Sequence, residues 1–108
     1  MDWECIYTDG VYYLVGNWQE QEVENTKKYI LSLPRSNKLC LDLNDVEILS
    51  GTAMALLITA VRRILIRHKK LVLINAPQMF AHTLYKTNML VELDIKLISP
   101  REDTGIGR

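Results

Sequence analysis

The sequence predicts an α/β domain built on a mixed β-sheet, with an N-terminal hairpin, strand-helix-strand crossovers and about three packing helices. Three observations carry this. Two β-rich segments flank Asp9-Gly10, a dipeptide favoured in two-residue hairpin turns. Short apolar runs at 39–43 and 71–74 have strand length and alternate with segments of helical period. In the second half the order is strand, helix, strand, helix, strand, the pattern of right-handed crossovers on a largely parallel sheet.

The elements follow in order. Residues 5–8 and 11–15 read as the hairpin strands, with Gly16-Asn17 as a break after the second. From 19 to 33 the positions Val23, Thr26, Ile30 and Leu33 repeat at helical spacing. Acidic residues come early and Lys27 and Lys28 later, as the helix dipole prefers, and Pro34 ends the helix. Residues 39–43, Leu-Cys-Leu-Asp-Leu, suit a strand covered on both faces. Ser50 is the natural N-cap of a long helix over 51–70. Residues 71–74 repeat the buried-strand pattern, and Asn75 with Pro77 marks the start of a third helix holding Phe80, Leu84 and Tyr85. That helix should end near Asn88, a residue that tolerates the left-handed conformation. A last strand over 94–98 precedes Pro100. The expected organisation is one domain over 1–100 and a loose tail over 101–108.

Composition narrows the function classes. A chain of 108 residues supports one hydrophobic core. Thirteen basic residues balance thirteen acidic ones, so no net field draws the chain to nucleic acid or an anionic membrane. The start, Met-Asp-Trp-Glu, lacks a signal-peptide pattern, and no apolar run is long enough to span a bilayer. A cytoplasmic protein without direct membrane insertion is expected. Cys5 and Cys40 read as core thiols, and His68 and His82 as surface residues without metal-ligand spacing. Asp42 and Asp45 read as solvated carboxylates at a strand end. Trp3 and Trp18 are expected to pack over a sheet edge. No nucleophile with a paired base, phosphate loop or metal cluster emerges, so no catalytic, metal or cofactor residue is assigned.

The junction between strand and helix at 39–57 holds the most chemistry. A hydroxyl residue in the first turn of a helix lies where unpaired N–H groups and the positive dipole end favour an anion. At about 100° per residue, Ala53, Leu57, Ala60, Val61 and Ile64 share one side of that helix, flanked by Met54, Ile58 and Leu65. This is the expected core stripe. The opposite side carries Thr52, Ala55, Thr59, Arg62, Arg63, Ile66 and Lys70. The small residues Ala55 and Thr59 leave a shallow surface near Thr52 on which a partner helix fits, with Arg62 and Arg63 at its rim.

The same junction, Asp42-Leu43-Asn44-Asp45-Val46-Glu47-Ile48-Leu49-Ser50-Gly51-Thr52-Ala53-Met54, resembles without a gap a segment of STAS domains, the fold of bacterial anti-sigma factor antagonists. In the family it runs Asp-Leu, two small or polar residues, Val, three more residues, then Asp-Ser-Ser-Gly-Leu. Ser50 stands at the Asp, Gly51 and Thr52 at the two serines, Ala53 at the Gly. Asn75-Ala76-Pro77 and Asn88-Met89-Leu90 also resemble the family's third helix and its closing turn.

The resemblance implies that Thr52 is the phosphoacceptor, with Ser50 the alternative. It implies a docking surface of Ser50, Gly51, Thr52, Ala55, Thr59, Arg62 and Arg63 for a serine/threonine kinase-type anti-sigma factor. The alternative it implies is a non-phosphorylated accessory subunit on the ATPase of a phospholipid-transporting ABC system. Two family acidic positions are neutral here. Ser50 replaces the Asp before the two serines, and Gln19 ends Gly16-Asn17-Trp18-Gln19 where the family has Gly-Glu-Leu-Asp.

Overall fold

The computed structural model describes residues 3–98. Their elements are β1 (Glu4–Thr8), β2 (Val11–Trp18), α1 (Glu20–Ser32), β3 (Leu39–Ile48), α2 (Gly51–His68), β4 (Leu71–Ile74), α3 (Gln78–Lys86), α4 (Met89–Glu92) and β5 (Lys96–Ile98). Asp9 and Gly10 take φ of 51° and 83°, the left-handed backbone that a tight hairpin turn requires, and fold β1 antiparallel onto β2. The sheet order is β1-β2-β3-β4-β5, and every pairing after the first is parallel.

Because each crossover steps one strand in the same direction with the same hand, the helices gather on one face of the sheet. The core reports this directly. Trp18, Leu41, Leu43 and Leu73 from the strands meet Ile30 of α1, Val61 and Ile64 of α2 and Phe80 of α3 around one small void. Alternation along the strands sends Ile6, Tyr13, Cys40, Val72 and Ile74 to the other face, where no helix among the described residues lies. The expectation that residues 39–43 are covered on both faces is therefore corrected. Leu39, Leu41 and Leu43 are buried, while Cys40 and Asp42 between them are half-buried. Cys5 and Cys40 are free thiols, both short of full burial.

Several boundaries differ from expectation for identifiable reasons. Gly16 does not break β2. It is buried and pairs with Val46, so the strand runs on to Trp18. β3 continues to Ile48 because its register against β2 shifts once, between Tyr13 and Val15. That irregularity absorbs the polar Asn44-Asp45 pair and returns Val46 to the core. α1 stops at Ser32, since Leu33 takes the extended conformation (φ −72°, ψ 153°) that a following proline imposes. α2 stops at His68 because Lys69 turns left-handed at φ 59°. Asn88 is left-handed as expected, at φ 63°, but it opens the short α4, which drives Met89 into the core. Asp94 is also left-handed and stays outside β5. Pro100 and the expected tail over 101–108 lie outside the described residues.

His68 corrects the surface assignment. It is 1% exposed, with Nδ1 2.7 Å from Ser36 Oγ and Nε2 3.3 Å from the Ile30 carbonyl oxygen. It thereby ties the end of α2 to the end of α1 and the loop after it. His82 is exposed. Trp18 lies in the core instead of at an edge. Trp3 is half-buried, donates through Nε1 to Thr26 Oγ1, and stacks edge-on against Tyr29 at 5.6 Å. Tyr29 in turn meets Tyr12 at 6.2 Å, and Tyr12 meets Tyr7 at 4.5 Å. This aromatic run fastens α1 to the hairpin. Burial, with the hydrogen bond to Cys5 second, pushes the Tyr29 phenol up to about 12, and burial raises the Cys5 thiol as well.

Candidate functional site

β2 and β3 run parallel and side by side, so their carboxyl ends finish together, with Trp18 opposite Ile48. The Leu49 N–H donates to the Trp18 carbonyl at 2.8 Å. Consequently the helices that follow both strands begin next to one another. The carboxyl edge of parallel strands is where α/β sheets place their binding sites.

Ser50 opens α2 in extended backbone (φ −150°, ψ 159°), and its Oγ accepts the Ala53 N–H at 3.0 Å. Its carbonyl accepts the Met54 N–H, also at 3.0 Å, as the first helical bond. The Ser50 hydroxyl is thus committed to capping. Gly51 and Thr52 are exposed, and their N–H groups, in the first turn, have no intrahelical partner. No acidic residue stands in that turn. A negative group on Thr52 would meet the helix dipole with no opposing carboxylate on its own helix.

Gly51 has no conformational need to be glycine. Its φ is not positive, and a Cβ added there would meet nothing within 4 Å. What glycine supplies at this place is a bare backbone open to close approach from outside.

Behind this end runs one continuous exposed stripe of α2: Thr52, Ala55, Thr59, Arg62, Arg63 and Ile66, spaced three and four residues apart so that they share a face. The core stripe of Ala53, Leu57, Ala60, Val61 and Ile64 is buried on the far side, as the periodicity predicts. Ile66 is 71% exposed and Leu49, just before the cap, 45%. Thr59 Oγ1 donates back to the Ala55 carbonyl at 2.9 Å, so its hydroxyl proton is spent within the helix. Arg62 pairs with Glu92 of α4 at 3.1 Å. Arg63 has no ion pair among the described residues.

Two groups at this edge escaped the sequence reading. The first turn of α1 carries Glu20 and Glu22, directly after the neutral Gln19. Leu49 adds an exposed apolar side chain just before the helix. The signal for both was position: the residues abut the two strand ends that the crossover order makes neighbours. Asp42 and Asp45 lie within β3 instead of at its end, and only Asp45 is exposed while Asp42 is half-buried. They accept from Asn44, through its N–H at 2.9 Å and its Nδ2 at 3.2 Å respectively, and no metal-holding cluster occurs among the described residues.

A family model described as STAS domain matches residues 5–104. No curated protein matches the chain.

Proposed function

The chain belongs to the STAS domain family, and from that premise we propose that it acts as an anti-sigma factor antagonist. In this reading it docks a kinase-type anti-sigma factor on the start of α2 and is released by phosphorylation of Thr52. STAS domains are typically regulatory, protein-binding modules and not enzymes. Among the described residues no helix is long and apolar enough to cross a membrane.

The observation that supports the proposal is the exposed stripe from Thr52 to Ile66, headed by a helix end that only Ser50 caps and that carries no acid in its first turn. Thr52 Oγ1 attacks the γ-phosphorus of ATP held by the partner. The bond from that phosphorus to the bridging oxygen breaks, ADP leaves, and the hydroxyl proton passes to a base of the kinase. The product adds roughly −1.5 to −2 charges at neutral pH. The helix end tolerates that charge; a partner surface packed over Thr52 and Ala55 does not.

The test is mass spectrometry of the protein from its native cells, together with capture of a kinase-fold partner. Phosphate on Thr52, and loss of capture in Thr52→Glu, are expected. Absence of phosphate under every growth condition, with a transporter ATPase as the captured protein, discards the regulatory reading. One observation favours that second reading, an accessory subunit on a phospholipid-transporter ATPase: Gln19 and Ser50 leave the family's two acidic positions neutral, and the Ser50 hydroxyl is occupied by its own helix.

A further inference from the structure

We propose that the face of the sheet on which no helix lies among the described residues is a self-complementary surface on which a second copy of this chain docks face to face, with the two sets of strands running in opposite directions. The site is separate from the start of α2, and the proposal does not rest on the phosphorylation reading.

The first observation is an exposed apolar band on a sheet of mainly parallel pairing. Parallel sheets ordinarily have both faces covered, yet here the helices occupy one. On the other, Ile6 is 52% and Tyr13 41% exposed. The register lines them up across the strands as Ile6, Tyr13, Asp42, Ile74 and Ile98. A neighbouring row runs through Thr8, Val11, Cys40, Val72 and Lys96, with Val11 and Cys40 half-buried and Val72 buried. Toward β5 this face dips into a shallow trough floored by Cys40, Val72, Ile74 and Ile98.

The second observation is the distribution of charge along the strands. Lys38 and Lys70 stand at the amino ends of β3 and β4, and Lys96 opens β5; all three rim the trough. At the opposite end of the same face, Glu4 and Asp45 flank Val15 in register, and Glu47 follows opposite Asn17. Lys70 is paired with Asp94 at 3.0 Å. Lys38 and Lys96 have no ion pair among the described residues.

A surface with the unpaired Lys38 at the amino end of β3, Asp45 and Glu4 toward the other end and mainly apolar side chains between matches itself after a half-turn. The required axis lies between two stacked sheets and crosses the strands, so that β3 runs over its own counterpart in reverse. Setting Lys38 of each copy over Asp45 of the other places Cys40 opposite Asp42, Val11 opposite Tyr13 and Val72 opposite Ile74. No carboxylate then faces its own counterpart, Lys96 falls over Ile98 at the edge strand, and the two mainly apolar rows interdigitate at the spacing of about 10 Å usual for stacked sheets. Five strands of the observed lengths offer a footprint of roughly 500 Å² per copy at standard strand spacing and rise. A total of about 1,000 Å² lies at the lower edge for a specific interface, so the dimer is expected to be reversible.

Sedimentation equilibrium of the full chain between about 10 µM and 1 mM tests the proposal, with a monomer–dimer equilibrium expected across a range typical of small interfaces. Lys38→Glu and Asp45→Lys should each weaken self-association about tenfold or more, and an equimolar mixture of the two should restore it as a heterodimer. Tyr13→Glu should abolish it from the centre of the band, giving a second reading should a charge reversal fail to fold. Thr52→Glu should leave it unchanged, which separates this face from the α2 surface. A chain monomeric throughout the range overturns the proposal. So does a dimer indifferent to these reversals, or folded variants whose mixture does not associate.

Discussion

Two helices begin side by side at the carboxyl edge of the sheet, and they begin differently. At α1 the Glu22 carboxylate reaches back to the Gln19 N–H at 2.9 Å, Glu20 adds a second negative charge in the first turn, and the end is satisfied from within. At α2 only Ser50 caps. One N–H of the first turn is taken, and the positive end of the dipole meets no acid on its own helix. The two starts share the strand register and the Leu49 to Trp18 hydrogen bond, so the difference is not one of fold. α1 is finished as structure, whereas α2 is left with capacity for an anion or a partner surface.

The largest expected effect breaks that contrast at α2. Thr52→Glu should reduce capture of the kinase-fold partner by roughly tenfold or more, because a fixed charge enters the middle of a desolvated contact. The same charge placed at α1, in Gln19→Glu, should leave capture near the parent level and speed phosphorylation of Thr52 by the captured kinase, measured as initial rate. An unchanged rate would mean that the neutral Gln19 is not what limits recognition.

Next in size are the caps themselves. Ser50→Ala removes the bond to Ala53 N and should cost about 1 kcal/mol, seen as a lower midpoint in urea unfolding. Glu22→Ala should cost about half as much, since the Gln19 carbonyl still accepts the Val23 N–H at 3.1 Å. Gly51→Ala goes the other way. With open space around its Cβ, it should raise stability by roughly 0.5–1 kcal/mol and still weaken partner capture, if bare backbone is what the partner approaches. A stabilised variant with undiminished capture would remove Gly51 from the docking surface.

The smallest effect at neutral pH concerns what holds α1 to the hairpin. The Tyr29 phenol is raised from 10 to about 12 by burial and its bond to Cys5. The neutral form is therefore the one the fold prefers. Its stabilising contribution is complete below about pH 10 and is lost as the pH climbs through about 12. Tyr29→Phe should flatten that part of the alkaline unfolding profile.

What the residues disclosed in advance depended on how local the cause was. The Asp9-Gly10 turn, the Ser50 cap and the buried stripe of α2 follow from short-range chemistry, and all three could be read directly. The extra length of β2 and β3 could not, because Gly16 and Asn44 look like breakers until the neighbouring strand is known to pair through them. His68 followed Arg67 and preceded two lysines, a context that reads as surface. Its burial depends on Ser36, thirty-two positions away. At the site, Thr52 and the stripe were legible as periodicity. The nearness of Glu20 and Leu49 was not, since it exists only once two strand ends meet.

Trp18 also makes this edge observable. Its ring is 1% exposed and its indole N–H has no hydrogen-bond partner among the described residues, while its carbonyl holds the residue that leads into α2. An indole in so apolar a setting should emit at short wavelength and be shielded from dissolved quenchers. Trp3, half-buried and hydrogen-bonded, should respond differently. With Trp3 replaced by Phe, the fluorescence of a single native side chain becomes a gauge of the α2 start, shifting when a partner or a phosphate pulls on Leu49.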